Sequence, residues 1–189
     1  MEAGDVAAAL ARARQGDGEA FRVLVDLHAR AAFALAFRLT GDSRDAEDVV
    51  QESFIRAYRQ LGRFESRSNF GTWLHRIIVN CAMDALRSRH TRREERTMNP
   101  ADDLPDVLPA DGPSPERLAR SAEIRRRAET SMSLLTPQER VAFALRHYEG
   151  RSIDDIGRTL GVQKSAAKHA VFRAVRKLRA ALEPLRGES

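Results

Sequence analysis

The chain has 189 residues, of which 42% are hydrophobic and 31% charged, and its formal net charge is +5 at pH 7. This length suits one large domain or two small ones, and the low aromatic content, without β-branched alternation or an Asn-Gly turn, favours helices over strands. A single cysteine excludes a disulfide framework and a thiolate zinc site, and no apolar run reaches the ~18 residues of a membrane span.

These properties predict an all-α, cytoplasmic protein. The N-terminus lacks the basic-then-apolar order of a signal peptide, and we expect no direct membrane insertion. Cys81 falls on the apolar side of a helical pattern and is expected to be a buried structural thiol. With no Walker loop and scattered histidines, we expect no enzymatic activity, no cofactor and no metal.

The stretch GDSRDAEDVVQESFIRAYRQLGRF, residues 41–64, has the spacing of an amphipathic helix. Its predicted core stripe contains Ala46, Val49, Val50, Ser53, Ala57 and Leu61. The opposite face carries three acids and two neighbours, namely Asp45, Asp48, Glu52, Gln51 and Ile55. Acids at this spacing repel one another unless a cationic surface faces them, and the exposed isoleucine favours a protein contact. A solvated acidic face is the alternative.

A second helix is predicted from SNFGTWLHRIIVNCAMDALRSRH, residues 68–90. Its buried stripe contains Leu74, Ile77, Ile78, Cys81 and Ala85, and its outward stripe contains Trp73, Arg76, Asn80, Asp84 and Arg87. An aromatic ring, an amide and guanidinium groups along one line suit base stacking, base-edge hydrogen bonds and phosphate binding. A tryptophan that only completes the core is the alternative. The arginines that follow, Arg89, Arg92, Arg93 and Arg96, predict a backbone-binding edge.

Five of the seven prolines lie within PADDLPDVLPADGPSP, residues 100–115, together with four aspartates. Such a segment cannot continue a helix, so it predicts an extended acidic linker over residues 97–115. The chain then divides into two small helical domains, residues 1–96 and 116–189. The linker is interpreted either as a plain spacer or as a tether threaded through a partner.

The second domain has the signals of a helix-turn-helix. Thr136, Pro137 and Glu139 predict a capping box that starts a helix, which Gly150 ends. Ser152 and Asp155 predict the start of a short helix with Ile153, Ile156 and Leu160 in its stripe. Gly161 and Val162 form the turn, and Ser165 is expected to cap the helix that follows.

That last helix, KSAAKHAVFRAVRKLR at residues 164–179, holds six basic side chains and no acid. Its apolar stripe contains Ala167, Ala170, Val171, Ala174, Val175 and Leu178, and its opposite face contains Lys168, His169, Phe172, Arg173 and Arg176. In a helix-turn-helix the second helix enters the major groove, and a basic face that carries an exposed aromatic favours DNA over solvent. An ordinary corner between two helices is the alternative.

Three motifs together carry a resemblance to a known family. DAEDVVQESF, then FGTWLHRIIVNCAMDALR, then the linker and LTPQERVAFALRHYEGRSIDDIGRTLGVQKSAAKHAVFRAVRKLR resemble a bacterial RNA polymerase sigma factor. The order and spacing are similar to those of the small two-domain extracytoplasmic-function (ECF) group, over about residues 16–182. The first domain corresponds to sigma region 2 and the second to sigma region 4.

The resemblance implies partners and roles. The acidic face, Asp45, Asp48, Gln51, Glu52 and Ile55, is expected to bind the clamp helices of the largest core polymerase subunit, and the polymerase flap is a further expected contact. The loop from Phe64 to Trp73 and the helix after it are expected to capture and melt the −10 element, through Phe64, Asn69, Phe70, Trp73, Arg76, Asn80 and Arg87. The −35 element is expected to be read by Ser165, Lys168, His169, Phe172, Arg173 and Arg176. The linker is expected to enter the active-site cleft, and an anti-sigma protein, often membrane-tethered in this family, is a further expected partner.

The sequence also departs from the family pattern. Gln163 stands in the turn where relatives often have proline, and Ser165-Ala166-Ala167 replaces the usual Gly-Thr-Val. His169 occupies a position where a small hydroxyl residue is common, so a −35 sequence does not transfer from relatives. A stand-alone helix-turn-helix repressor or activator is the alternative function, but it explains neither the acidic face nor Trp73. A helical adaptor that binds only proteins does not explain the basic face of residues 164–179.

Overall fold

The computed structural model describes residues 3–64, 69–97 and 130–183 of the chain, with side chains for residues 6–64, 69–92 and 130–183. In this part of the chain every regular element is helical, which confirms the all-α prediction. The chain divides into two compact units, Met1–Leu86 and Arg87–Ser189. This division falls inside a helix that ends at Thr97, and the rest of the predicted linker lies outside the described residues. The domain bounds at 96 and 116 stay a prediction.

The described helices of the first part of the chain are α1 (Ala3–Ala13), α2 (Gly18–Thr40), α3 (Ser43–Gln60), a 3₁₀ turn (Leu61–Arg63) and α4 (Phe70–Thr97). Neither α1 nor α2 is among the helices predicted above. Asp17 starts α2 and Asp42 starts α3, because each carboxylate accepts a backbone N–H from three residues later. Gly41, at φ 73°, lets the chain turn directly from α2 into α3.

The core of the first unit lies between α2, α3 and the start of α4. Its largest fully buried side chains include Leu24, Leu39, Leu61, Leu74 and Val79. The predicted stripe of α3 is buried except for Val50, which is half-buried. Helix α4 is buried over more of its circumference than one stripe, since the next positions round the helix are buried too: Val79, Ala82, Met83 and Leu86. Cys81 is buried as predicted, and burial raises the pKa of its thiol.

The second unit contains α5 (Pro137–His147), α6 (Ile153–Leu160) and α7 (Lys164–Leu182). The capping box of α5 is formed as predicted: Thr136 Oγ1 accepts from Glu139 N–H, and the Glu139 carboxylate accepts from Thr136 N–H. Helix α6 starts at the predicted cap, since Ser152 Oγ accepts from Asp155 N–H at 3.1 Å. Gly150, at φ 64°, reverses the chain three residues after α5 ends.

The turn between α6 and α7 brings two backbone segments close together. Gly161, at φ 65°, ends α6 in the left-handed conformation. A Cβ on Gly157 would lie 3.0 Å from the carbonyl oxygen of Val162, so this close approach needs glycine. The predicted cap at Ser165 is wrong, because α7 already begins at Lys164. Gln163 occupies the capping position without a side-chain hydrogen bond.

The helix-turn-helix packs on a small apolar core. The apolar stripe of α7 faces inward as predicted, with Ala167, Ala170, Ala174 and Leu178 buried and two valines half-buried. Ile156 of α6 and Val141 and Leu145 of α5 are fully buried with them. Small alanines on α7 let the helices approach closely, and this leaves the opposite side of α7 free for solvent. Among the described helices, none is long and apolar enough to cross a membrane.

Candidate nucleic-acid and protein interfaces

The outer side of α7 is basic and carries an exposed aromatic ring. Lys168, His169, Phe172 and Arg176 are exposed, and Phe172 is 62% exposed. Ser165 is exposed in the first turn of this helix. Burial of the alanine stripe turns these side chains outward together, because they lie on the other side of the same helix. The combination of basic side chains with an exposed aromatic ring makes this side of α7 a candidate binding surface for nucleic acid.

Arg173 lies on the same side but is tied to α5. Its Nε donates to Oε1 of Glu139 at 2.9 Å, while the arginine side chain remains 48% exposed. Lys177 donates from Nζ to the other oxygen of Glu139 at 2.7 Å, and the side chain of Glu139 is 3% exposed. Burial alone raises the pKa of Glu139, but hydrogen bonds from Lys177, Thr136 N–H and Arg173 outweigh it and hold the pKa below its usual value.

The acidic face of α3 contains a cation of its own. Glu52 accepts from Arg56 Nε at 2.6 Å, and Arg56 Nη1 reaches Oδ2 of Asp84 on α4 at 2.9 Å. These bonds, first to Glu52 and then to Asp84, raise the pKa of Arg56. The repulsion between the acids is therefore relieved in part inside the molecule, and not only by a partner. The pair was not predicted from the sequence, although the i, i+4 spacing of Glu52 and Arg56 is a signal that could have found it.

The remaining residues of the acidic face reach solvent to different degrees. Asp48 and Gln51 are exposed, Asp45 and Glu52 are half-buried, and Ile55 is 37% exposed. An apolar side chain at the margin of an acidic patch matches the mixed composition of protein interfaces.

Three aromatic rings pack together where α4 begins. Trp73 lies 5.1 Å from Phe64 and 5.7 Å from Phe70, measured between ring centroids, and the two phenylalanines lie 6.3 Å apart. Both phenylalanines are 4% exposed, whereas Trp73 is half-buried. Direct contact of Phe64 and Phe70 with DNA therefore conflicts with their burial in this structure. They instead pack against the indole of Trp73.

The start of α4 is held by side chains of two elements. Asn69 Oδ1 accepts from Thr72 N–H at 3.1 Å, so Asn69 caps α4. The ring of His28 on α2 lies 5.2 Å from that of Phe70, and burial lowers the pKa of His28. A Cβ on Gly71 would lie 3.3 Å from this imidazole, so glycine here permits close packing of α2 on α4. No sequence pattern predicted that His28 would pack at the start of α4.

The outward line of α4 is largely as predicted. Arg76, Asn80, Asp84 and Arg87 are exposed, and Trp73 stands half-buried at its start. The predicted basic edge is described only in part: Arg89 and Arg92 are exposed, while the side chains of Arg93 and Arg96 lie outside the described residues. Residues 65–68, in the middle of the predicted base-capturing loop, also lie outside them.

Both units of the chain are similar to known proteins. The sigma-70 region 2 model matches residues 24–92, and the sigma-70 region 4 model matches residues 125–178. The RNA polymerase sigma-H factor of Pseudomonas aeruginosa is 35% identical over 182 residues, which cover 94% of each protein. The chain belongs to the sigma-70 family. The candidate surfaces of α3 and α4 fall within the region 2 match, and α5, α6 and all but the last four residues of α7 fall within the region 4 match.

Other relatives of this sigma factor carry the ECF designation. The ECF RNA polymerase sigma-E factor of Haemophilus influenzae is 33% identical over 178 residues, covering 92% of this chain and 93% of the relative. The ECF sigma factor SigE of Mycolicibacterium smegmatis is 36% identical, but this chain spans only 59% of its length. A solved structure of CnrH in complex with the cytosolic domain of CnrY is 28% identical, with a TM-score of 0.57 over 96% of this chain and 97% of that one.

Proposed function

We propose that this sigma factor binds core RNA polymerase and directs initiation at promoters by reading a −35 element and by reading and melting a −10 element. The observation that carries the proposal is the match to both sigma-70 regions in family order, with a basic, aromatic-bearing helix exposed in the second. This activity needs no catalytic group of the protein's own, because polymerase supplies the chemistry. A cytoplasmic location belongs to the proposal, since polymerase and promoter are there.

The −35 element is assigned to the outer side of α7. Lys168 and Arg176 carry charge that suits phosphates or the acceptors of guanine, and His169 can donate or accept at a base edge. Phe172 offers an apolar surface for a thymine methyl group. Ser165 in the first turn lies where the helix N-terminus favours a phosphate. These assignments agree with the exposure of all four long side chains.

The −10 element is assigned to the start of α4. Flipping a base out of the duplex costs a few kcal/mol, which stacking and hydrogen bonds in a preformed site can offset. Trp73 suits this role because its ring packs against the buried rings of Phe64 and Phe70. Asn80 supplies an amide on the same line, while Arg76 and Arg87 suit the backbone of the separated strand.

Core polymerase is assigned to the acidic face of α3. Asp48, Gln51 and Ile55 are its exposed members, and Asp45 and Glu52 extend it. An acidic patch with an apolar margin fits a basic, partly apolar surface such as a pair of clamp helices. Sequestration by an anti-sigma protein is part of the same proposal, and the complex of the similar protein CnrH with a cytosolic domain of CnrY supports it.

One reconstitution tests the function. Full-length protein is mixed with core polymerase, and the complex is isolated and supplied with a library of promoter fragments. We expect stable association with core, and transcription from a subset of fragments that share two elements. The protein alone should bind the same fragments weakly. Tight, sequence-specific binding by the protein alone, unchanged by added core, would support the repressor instead.

A further inference from the structure

Glu139 is the only charged residue that is buried in the described part of the chain, with an exposure of 2%. A buried carboxylate is stable only when donors surround it, and Glu139 has three. Its Oε1 accepts from Arg173 Nε at 2.9 Å, and its Oε2 accepts from Lys177 Nζ at 2.7 Å and from Thr136 N–H at 3.1 Å. Two of these donors come from α7, 34 and 38 residues away in sequence.

Helix capping alone does not account for this arrangement. A capping box needs an acceptor three residues after the cap, and glutamine serves there as well as glutamate. The negative charge matters for Arg173 and Lys177, because hydrogen bonds between ionised groups are the stronger ones. The negative charge of Glu139 therefore serves the two cations of α7 and is not needed for the cap of α5.

The bond to Arg173 restricts a side chain on the DNA-reading side. A guanidinium group is planar and carries its five N–H donors in fixed directions. When Nε is held by Glu139, rotation of the group about its long stem is restricted, and its other donors keep one orientation. With 48% of the side chain exposed, these donors remain accessible. An arginine held in this way loses less conformational freedom when it binds DNA.

The cluster also keeps a positive charge. Arg173 and Lys177 contribute two positive charges and Glu139 one negative charge, so their sum is +1 when all three are ionised. Lys177 thus allows a buried carboxylate to hold Arg173 without making this part of the surface neutral. A phosphate or a guanine edge would still be attracted to it.

We propose that Glu139 is a positioning residue for promoter recognition: it orients Arg173 and thereby sets the preference for the −35 sequence without contacting DNA. The inference rests on the proposed function of the outer side of α7. It differs from a purely structural role, in which loss of the glutamate would weaken the fold and lower binding to all promoters equally.

The test uses full-length protein in the reconstituted holoenzyme. The measured quantity is the ratio of affinities for a duplex with the selected −35 element and one with that element scrambled. Glu139→Gln keeps the capping acceptor and the side-chain shape but removes the charge. We expect this ratio to fall about fivefold or more, as for loss of one base contact. Arg173→Ala should produce a similar fall, and adding Glu139→Gln to it should have no further effect.

Controls separate positioning from folding. Arg179→Gln removes one positive charge, as Arg173→Ala does, at another exposed arginine of α7 and should leave the ratio unchanged. Arg173→Lys keeps the cation beside Glu139 but lacks the planar fork, so it should lower the ratio with a normal Tm. This variant still tests the inference where Glu139→Gln fails to fold.

Each outcome has one meaning. If Glu139→Gln lowers the Tm but leaves the affinity ratio unchanged, the role of Glu139 is structural and the inference is wrong. The same conclusion holds if Glu139→Gln lowers the ratio by the same factor in the Arg173→Ala background as in the wild type. An unchanged ratio for Arg173→Lys also overturns it. If the wild-type holoenzyme prefers no −35 sequence at all, the proposed function fails as well, so the two failures are distinguishable.

Discussion

Charge reversal on the acidic face should separate polymerase binding from folding at Asp48 but not at Glu52. Asp48 is exposed, whereas Glu52 accepts from Arg56 at 2.6 Å and Arg56 also binds Asp84 at 2.9 Å. Asp48→Lys therefore changes only the charge offered to a partner. Glu52→Lys changes that charge and also breaks the ion pair with Arg56, the arginine that joins α3 to α4 through Asp84.

The exposure of these groups limits the size of the effect on folding. The side chains of Glu52, Arg56 and Asp84 are 45%, 37% and 52% exposed. Ion pairs this open to water contribute about 0.2–1 kcal/mol, and like charges at i, i+4 destabilise by about 0.2–0.5 kcal/mol. Glu52→Lys should then lower the free energy of unfolding by about 1 kcal/mol. Asp48→Lys should change it by no more than about 0.5 kcal/mol.

The assay pairs thermal unfolding with competition for core polymerase. Both variants should lose most of their affinity for core, and only Glu52→Lys should lower the Tm. Glu47→Lys is the matched control, because Glu47 is an exposed acid of the same helix that is not among the residues assigned to this face and should retain affinity. The assignment of this face is refuted if Asp48→Lys competes like the wild type, or if Glu47→Lys loses as much affinity as Asp48→Lys.

Four further predictions concern α4, α7, the turn at Gly157 and Glu139. Trp73→Ala or Asn80→Ala should leave closed-complex binding nearly intact but block strand opening, which permanganate footprinting would detect. A template with a pre-melted −10 bubble should restore transcription, and no transcription from that template would contradict the prediction. Lys168→Ala should weaken duplex binding in a gel shift, by about 1–3 kcal/mol if the contact is base-specific, and the bubble should not restore it. Gly157→Ala should lower the Tm, because its Cβ would stand 3.0 Å from a backbone oxygen; an unchanged Tm would contradict the close approach. Because the pKa of Glu139 in the folded state lies below its unfolded value, the stability that its charge contributes is present above the unfolded pKa and is lost as the pH falls through the folded pKa. Glu139→Gln should therefore reduce the loss of stability at acid pH when unfolding is measured against pH.

Local chemistry was readable from the sequence because each signal lies within a few residues. Thr136 with Glu139 and Ser152 with Asp155 form the predicted caps, since a side-chain oxygen and a backbone N–H three residues later are neighbours in any helix start. The failure at Ser165 has a local cause too. A capping side chain was expected to start α7, but the turn after Gly161 starts it earlier, at Lys164.

Contacts between distant segments could not be read in this way. Arg173 binds Glu139 across 34 residues, and Arg56 binds Asp84 across 28. Neither pair has a spacing that a helical pattern reveals. Aromatic residues carry the same ambiguity. Phe64 and Phe70 belong to the predicted base-capturing loop, where exposure is the usual expectation, yet both are 4% exposed because they pack on each other and on Trp73. Burial of an aromatic ring depends on its neighbours in space, and these cannot be read from the order of residues in the sequence.

The pair between Arg56 and Asp84 joins the two proposed surfaces of the first unit. Asp84 lies between Asn80 and Arg87 on the line of α4 that is proposed to face DNA, where an unpaired acid would repel a phosphate backbone. Arg56 offsets that charge, and the same arginine binds Glu52 on the face assigned to polymerase. In the proposed complex, a cationic group of polymerase that binds Glu52 would compete with Arg56 for the carboxylate and leave Arg56 more fully paired with Asp84. We therefore expect Asp84 to be better neutralised when polymerase is bound than when the sigma factor is alone, which would favour DNA contact in the holoenzyme.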